Sequence, residues 1–306
     1  MALKLSLAFE AVVQGLHANL PPQPLVSSGS KRFNVIIDAI KSAGHSAHSD
    51  SLVRRRTFDS ASWHVEPCQT LEEDDISLYP GSFDVRVISP FFVVAHGGPW
   101  QLPLKIPNGS YEGKDAVREA LAAIATKVNW AASERNSFCV FIGRSGGRFS
   151  LEEQKRIAML VCRFEAAIDM LPQTRRTGRH VILSNCHDSE SLKEAPSMDA
   201  IYKLIQDAET EFALSELMND KPTLTPAPFG HIGRHYRFKV VFPRYTHHHM
   251  IGFRQRSGTV SADEAVAWAL FILDFVNYAI DPSTDPMAGE ATLDYLRGRG
   301  IRVPQV

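Results

Sequence analysis

Phe138-Cys139-Val140-Phe141-Ile142-Gly143, followed by Arg144-Ser145-Gly146-Gly147-Arg148-Phe149-Ser150-Leu151, is the stretch on which the reading of this chain turns. The apolar run bounded by a glycine-rich turn predicts a strand over 138–143. Ser150 with Glu153 then forms a capping box, which predicts a helix starting beside Ser150 and running through Arg163-Phe164-Glu165, Ile168-Asp169 and Leu171. The unit is a strand, a turn and a long amphipathic helix.

Other segments extend this pattern in both directions. Residues 3–13 read as a strand, and Phe33, Val35, Ile36, Ile37 and Ile40 give helical spacing over 31–43 before Gly44. The polar stretch 44–60 reads as a surface excursion. Alternation predicts strands at 63–65 and 83–89, and apolar spacing predicts a helix over 116–131. An irregular region over 172–196 precedes short helices at 198–208 and 209–218 and a Pro- and Gly-containing loop over 219–233. Strands at 236–242 and 247–254 lead into a helix over 262–280, whose apolar positions include Val266, Trp268, Leu270, Ile272, Phe275 and Val276. The polar tail 281–306 has room for one short helix near 291–297. This order predicts an α+β fold with helices packed on one face of a sheet, a single domain over 1–280 and a C-terminal tail.

Composition narrows the function classes. With 306 residues and 44% hydrophobic side chains the chain can bury a large core, and a net charge of -1 supplies no long-range attraction to nucleic acid or an anionic membrane. No apolar run is long enough for a signal peptide or a membrane span. Cys68, Cys139, Cys162 and Cys186 are scattered without a CxxC pair, which fits a reducing compartment. A cytoplasmic protein is expected, with a small molecule as its partner and no nucleic acid or membrane partner; its oligomeric state is left open.

Five ordered blocks carry a resemblance. They are Ser6-Leu7-Ala8-Phe9-Glu10-Ala11-Val12, Trp63-His64-Val65-Glu66-Pro67-Cys68, Val85-Arg86-Val87-Ile88-Ser89-Pro90, the strand at 138–143, and Ile251-Gly252-Phe253-Arg254-Gln255-Arg256-Ser257-Gly258-Thr259-Val260 with Trp268 downstream. In this order they resemble the fungal branch of the amidoligase family, ATP-dependent carboxylate-amine ligases related in fold to glutamine synthetase and glutamate-cysteine ligase. The resemblance implies a largely antiparallel, curved sheet of glutamine-synthetase-like type.

The same resemblance implies that the family's ligands are replaced. Glu10 matches one of two alternating carboxylates of the first strand, and Val12 stands for the other. Cys68 sits where an aspartate is expected, Arg86 replaces a glutamate, Cys139 and Phe141 replace two alternating histidines, and Gly252 replaces a glutamate; Arg254, Gln255, Gly258 and Thr259 match. Mg²⁺ needs hard oxygen ligands, so these substitutions disfavour ATP-dependent ligation. The expectation is an enzyme that needs no cofactor or metal. It would act on an apolar small molecule, with or without a carboxylate, as a cyclase or pericyclase of specialised metabolism. Arg86, Glu10 and His249 are the candidate catalytic residues, and Val12, Cys139, Phe141, Gly252, Arg254 and His247 are the candidate substrate contacts. Two alternatives stand beside it: a ligase with a residual ATP and Mg²⁺ site, and a catalytically inactive binding protein. Arg86 itself has two readings, a group that holds a substrate carboxylate or carbonyl, and a structural partner of Glu10.

Two further motifs invite chemistry. His247 and His249 would share one face of a strand, yet no third metal ligand follows from spacing. Gly143-Arg144-Ser145-Gly146-Gly147 matches the nucleophile-elbow pattern, and His96-Gly97-Gly98-Pro99-Trp100 is similar to an oxyanion loop. An elbow requires a helix to begin at the serine, whereas helical spacing resumes near Ser150, which argues against a hydrolase.

Overall fold

The computed structural model describes residues 2–16, 29–49, 61–67, 83–95, 98–101, 112–132, 136–174, 182–220, 238–243 and 249–305. The chain is a mixed α/β protein whose strands pair mostly antiparallel, and it divides into two compact units, Met1–Phe138 with Ser257–Val266 and Cys139–Arg256 with Ala267–Val306.

The first unit contains β1 (Ala2–Leu16), α1 (Gly29–Ser42), β2 (Ala47–His48), β3 (Trp63–Pro67), β4 (Phe83–Ile88), β5 (Phe92–Ala95), β6 (Trp100–Gln101), α2 (Gly113–Ala125) and β7 (Val128–Ala131). Its strands run in the order β2-β3-β4-β1, with β5 and β7 also paired to β1 and β6 to β5. All of these pairs are antiparallel except β2 with β3.

Strand alternation in β1 separates two chemistries. Leu3, Leu5, Leu7, Phe9, Ala11 and Val13 are all buried on one face, each side chain of this size contributing about 1–3 kcal/mol when fully buried. Lys4, Ser6, Ala8, Glu10 and Val12 fall on the other. On α1 the buried stripe Phe33, Ile36, Ile37 and Ile40 has helical spacing and packs against α2 and β3, with Phe33 edge-on to Phe83.

Two expectations in this unit are corrected. The helix expected over 116–131 ends at Ala125, and Val128–Ala131 is a strand paired with the end of β1. Val128 and Trp130 are buried and alternate with exposed Asn129, and β7 satisfies the edge of β1 opposite β4, since Val12 and Val13 pair with both strands. The surface excursion over 44–60 is also too simple. Ala47–His48 pairs with β3, and His45 is buried with Nε2 3.2 Å from Glu119 Oε2. Between β4 and β5 the ladder along β1 breaks at Pro90, which has no N–H to donate. Ser89 spans the break: its hydroxyl accepts from Leu7 N–H at 2.8 Å, and its carbonyl accepts from Ser6 Oγ at 2.9 Å.

The second unit carries β8 (Ser137–Arg144, entering it at Cys139), α3 (Leu151–Asp169), a 3-10 turn (Pro172–Thr174), α4 (Met198–Asp207), α5 (Glu211–Asn219), β9 (Val240–Val241), β10 (Ile251–Ser257), α6 (Ala262–Ile280, entering it at Ala267) and α7 (Leu293–Gly298). Its strands lie in the order β8-β10-β9. The expected capping box is present: Ser150 Oγ accepts from Glu153 N–H, and Ser150 N–H donates to Glu153 Oε2. Two arginines two turns apart on α3 hold the C-terminal segment by its backbone. Arg156 donates to the carbonyls of Ala279, Asp281 and Thr284 at 2.6 to 2.7 Å, and Arg163 donates to those of Pro286 and Gly289. Lys239 bridges Glu165 and Asp169 at 2.7 and 2.5 Å. Burial works against the Lys239 cation, but the two carboxylates outweigh it and hold its pKa above 10.5.

Two outcomes follow. Hydrogen bonds to charged groups contribute about 1.5–3 kcal/mol, so Arg156→Met should lower unfolding free energy by about 2 kcal/mol in urea titrations and expose the segment after Ile280 to protease. Burial holds the His45 pKa below 6.5 against the opposing pull of Glu119. A depressed histidine supports the fold above pH 6.5 and withdraws that support as the pH falls through its folded value. Melting temperatures should therefore fall more steeply below pH 6.5 in the wild type than in His45→Gln.

Candidate functional site

Glu10, Arg86 and Glu66 form one row across three neighbouring strands. Glu10 of β1 is the register partner of Arg86 of β4, and Arg86 is the partner of Glu66 of β3. Directly opposed residues on adjacent strands are near neighbours on one face, so the antiparallel register alone brings the guanidinium between two carboxylates. This face is the one that carries Lys4, Ser6, Ala8 and Val12, opposite the apolar side of β1.

Each guanidinium nitrogen of Arg86 is used. Nε and Nη2 donate to Glu10 Oε1 at 3.1 and 2.6 Å, and Nη1 donates to Glu66 Oε1 at 3.0 Å. The Glu10 side chain is 1% exposed, and its second oxygen, Oε2, accepts the Ser137 backbone N–H at 2.9 Å. A carboxylate so deeply buried is tolerable only with a paired cation and hydrogen bonds to both oxygens, and Glu10 has both. The Arg86 and Glu66 side chains are 27% and 29% exposed, so the row opens toward solvent at the Glu66 end.

Close packing holds Glu10 from behind and from the side. The Phe9 and Phe138 rings lie 5.0 Å apart on the apolar face. Gly258 passes so near that an added Cβ would come within 2.7 Å of Asn136 Cβ and 3.2 Å of the Glu10 carbonyl oxygen; its N–H donates to Asn136 O at 2.8 Å. Gly258 is thus needed here for close backbone approach. Thr259 and Ser261 beyond it set up the start of α6: Thr259 Oγ1 donates to Glu264 Oε2 at 2.8 Å and accepts from Ser261 N–H at 3.1 Å.

The rungs on either side extend the face. Val12 lies opposite Asp84, a buried acid, and Ala8 opposite Ile88, which is the partner of His64. The His64 ring is buried and meets the half-buried His48 ring edge-on with centroids 4.1 Å apart. The face is a mixed one, with apolar Val12, Ala8 and Ile88 set among charged and aromatic polar groups. Among the described residues, no three of His, Cys, Asp and Glu converge closely enough to hold a metal ion. The donor set also fits Mg²⁺ poorly, because the Glu10 oxygen nearest the row is already taken by two guanidinium N–H groups and a fixed cation sits between the carboxylates.

The remaining sequence candidates fall in the second unit. Cys139 of β8 is buried, and Phe141, two residues along on the same strand face, is half-buried. Gly252 pairs with Val241, and the Arg254 N–H donates to Lys239 O at 2.7 Å, with its side chain half-buried. The strand expected over 247–254 begins at Ile251, which corrects the placement of His249 on a strand face. His249 is exposed at φ 54°, the left-handed region, and its Nε2 lies 2.6 Å from Arg148 Nη2. His247 lies outside the described residues, as do Cys68 and His96. Ser145 sits in an exposed turn and α3 starts only after Ser150, so the elbow motif lacks its helix.

Glu66 is the residue that sequence reasoning missed. The resemblance drew attention to Cys68 as a replaced acid, whereas Glu66 itself follows His64 at period two beside Arg86, and this was the available signal. Removing one partner of a buried ion pair leaves the other charge uncompensated, so Arg86→Met should destabilise the fold by about 3 kcal/mol in urea titrations. The double variant Glu10→Gln with Arg86→Met should lose less than the sum of the single variants. No family model, curated protein or solved structure matches the chain.

Proposed function

We propose that this chain is an enzyme that works without ATP or Mg²⁺, built on an amidoligase-like, glutamine-synthetase-like scaffold and acting on an apolar small molecule in the cytoplasm. Cyclisation or pericyclic rearrangement, the chemistry of specialised metabolism, is the reaction class that suits such a site. Such reactions need a shaped surface and a few fixed charges, with no phosphoryl transfer. One observation carries this reading: the Arg86 guanidinium lies between Glu10 and Glu66 in hydrogen-bond contact with both. Arginine keeps its charge at all working pH values, so the carboxylates are permanently engaged with a cation that cannot activate a phosphate as a divalent metal does. Val12 on the same face is half-buried and places an apolar group next to the row.

No helix among the described residues is long and apolar enough to cross a membrane. The saturation of Glu10 by Arg86 and Ser137 also favours a second reading, in which the face binds a ligand without transforming it. Titration calorimetry with ATP, with and without Mg²⁺, should show no magnesium-dependent binding; clear binding would overturn the proposal. Incubation with a panel of polyene and terpenoid acids, alcohols and phenols separates enzyme from binder, because only an enzyme yields product above the spontaneous background.

A further inference from the structure

The second unit holds two buried thiols against each other. Cys162 lies on α3 and is 6% exposed; Cys186 lies in the turn at 185–188 and is 2% exposed. Their side chains share a hydrogen bond, and the Glu165 carboxylate, about one turn along α3 from Cys162, borders the Cys186 thiol. Contacts from several segments fix this arrangement. Glu165 Oε1 accepts from Lys239 Nζ at 2.7 Å, and the Lys239 N–H donates to the Leu183 carbonyl at 2.9 Å. Asn185 Nδ2 donates to Val240 O at 2.8 Å, and the Val240 N–H donates to Asn185 Oδ1 at 2.9 Å. The Ser184 hydroxyl accepts from the N–H groups of Cys186 and His187 at 3.2 and 2.9 Å. Residues 183–187 are thus held beside 238–240, and Lys239 ties both to α3 next to Cys162.

From this cluster we propose that Cys162 and Cys186 are an oxidisable pair, which hydrogen peroxide converts to an intramolecular disulfide that fastens α3 to the turn at 185–188. Hydrogen peroxide transfers one oxygen atom to Cys162 Sγ, the less buried sulfur, giving a sulfenic acid and one water. Cys186 Sγ then attacks that sulfur and the S–O bond breaks. The Cys186 proton passes to the departing hydroxide as a second water, with Glu165 beside the thiol to relay it. Two thiols lose two electrons and two protons, and the peroxide takes up both. The hydrogen bond to Cys162 and burial push the Cys186 thiol pKa upward, which keeps that sulfur protonated and leaves Cys162 as the first to react. Burial favours a small, uncharged oxidant. These residues belong to the second unit, and their chemistry is independent of the ligand proposed for the Glu10 face.

Native wild-type protein treated with hydrogen peroxide, blocked with N-ethylmaleimide and digested without reductant should yield a peptide joining Cys162 to Cys186. Mass spectrometry should find it lighter by two hydrogen atoms than its separate thiol peptides, and a digest made with dithiothreitol should lack it. The oxidised protein should unfold at a higher urea concentration than the reduced one, because a cross-link restricts the unfolded chain. Cys162→Ser and Cys186→Ser should each lose both the joined peptide and the upward urea shift. In peroxide-treated Cys186→Ser the sulfenic acid has no thiol to condense with, so dimedone added with urea should label Cys162. Peptide mapping of the wild type decides the pairing even where a serine variant folds poorly. Any one of three results overturns it: peroxide-treated native protein yields no Cys162–Cys186 peptide, that peptide forms only at urea concentrations above the unfolding transition, or Cys186→Ser keeps the urea shift.

Discussion

The buried carboxylate of Glu10 is the constraint around which the first unit is arranged. An ionised group with its side chain 1% exposed must recover what it loses in hydration, and it does so through Arg86 and the Ser137 N–H. Both partners come from distant parts of the chain, so satisfying Glu10 ties β4 and the start of β8 to β1. Register follows from the same requirement. A slip of one residue in β4 would send Arg86 to the apolar face and present Val85 or Val87 to a carboxylate. Gly258 is held to the same geometry, because its backbone lies where any Cβ would collide with neighbours of Glu10.

The chemistry available on this face follows from how the charge is supplied. A divalent metal is exchangeable, takes many oxygen ligands and leaves room for a phosphate. A guanidinium is planar, covalently attached and limited in the directions in which it can donate. With three of its five N–H groups given to Glu10 and Glu66, Arg86 acts as part of the wall. The surrounding residues then matter more for shape than for ligation: Val12, Ala8 and Ile88 are apolar, and the His64–His48 pair fills the far rung. Exposure along the row rises from Glu10 to Glu66, which directs attention to the β3 end.

Local signals in the sequence were strong wherever one segment carried them alone. The capping box of Ser150 and Glu153, the apolar stripe of α1 and the span of α6 are all properties of neighbouring residues, and each appears where the pattern places it. The helix expected over 116–131 failed at Val128, because apolar spacing does not distinguish the end of a helix from a short strand whose partner is more than a hundred residues upstream in β1. The short strands β2, β5 and β6 were missed for the same reason: each owes its state to pairing, with too few residues to show a period. Among candidate site residues, Glu10 and Arg86 were legible and meet as neighbours, while Glu66 was not singled out and His249 was assigned to a strand that starts two residues later.

By itself the sequence determined which residues are helical or extended over the longer elements, that β1 has one apolar and one mixed face, and that a cation stands at position 86 among acids. Only the tertiary structure decided which acids that cation meets and which of them is left open. Strand register is a long-range choice made by pairing and burial together, so it set Glu66 beside Arg86, closed Glu10 beneath Ser137 and gave one carboxylate of the row, and not the other, access to solvent.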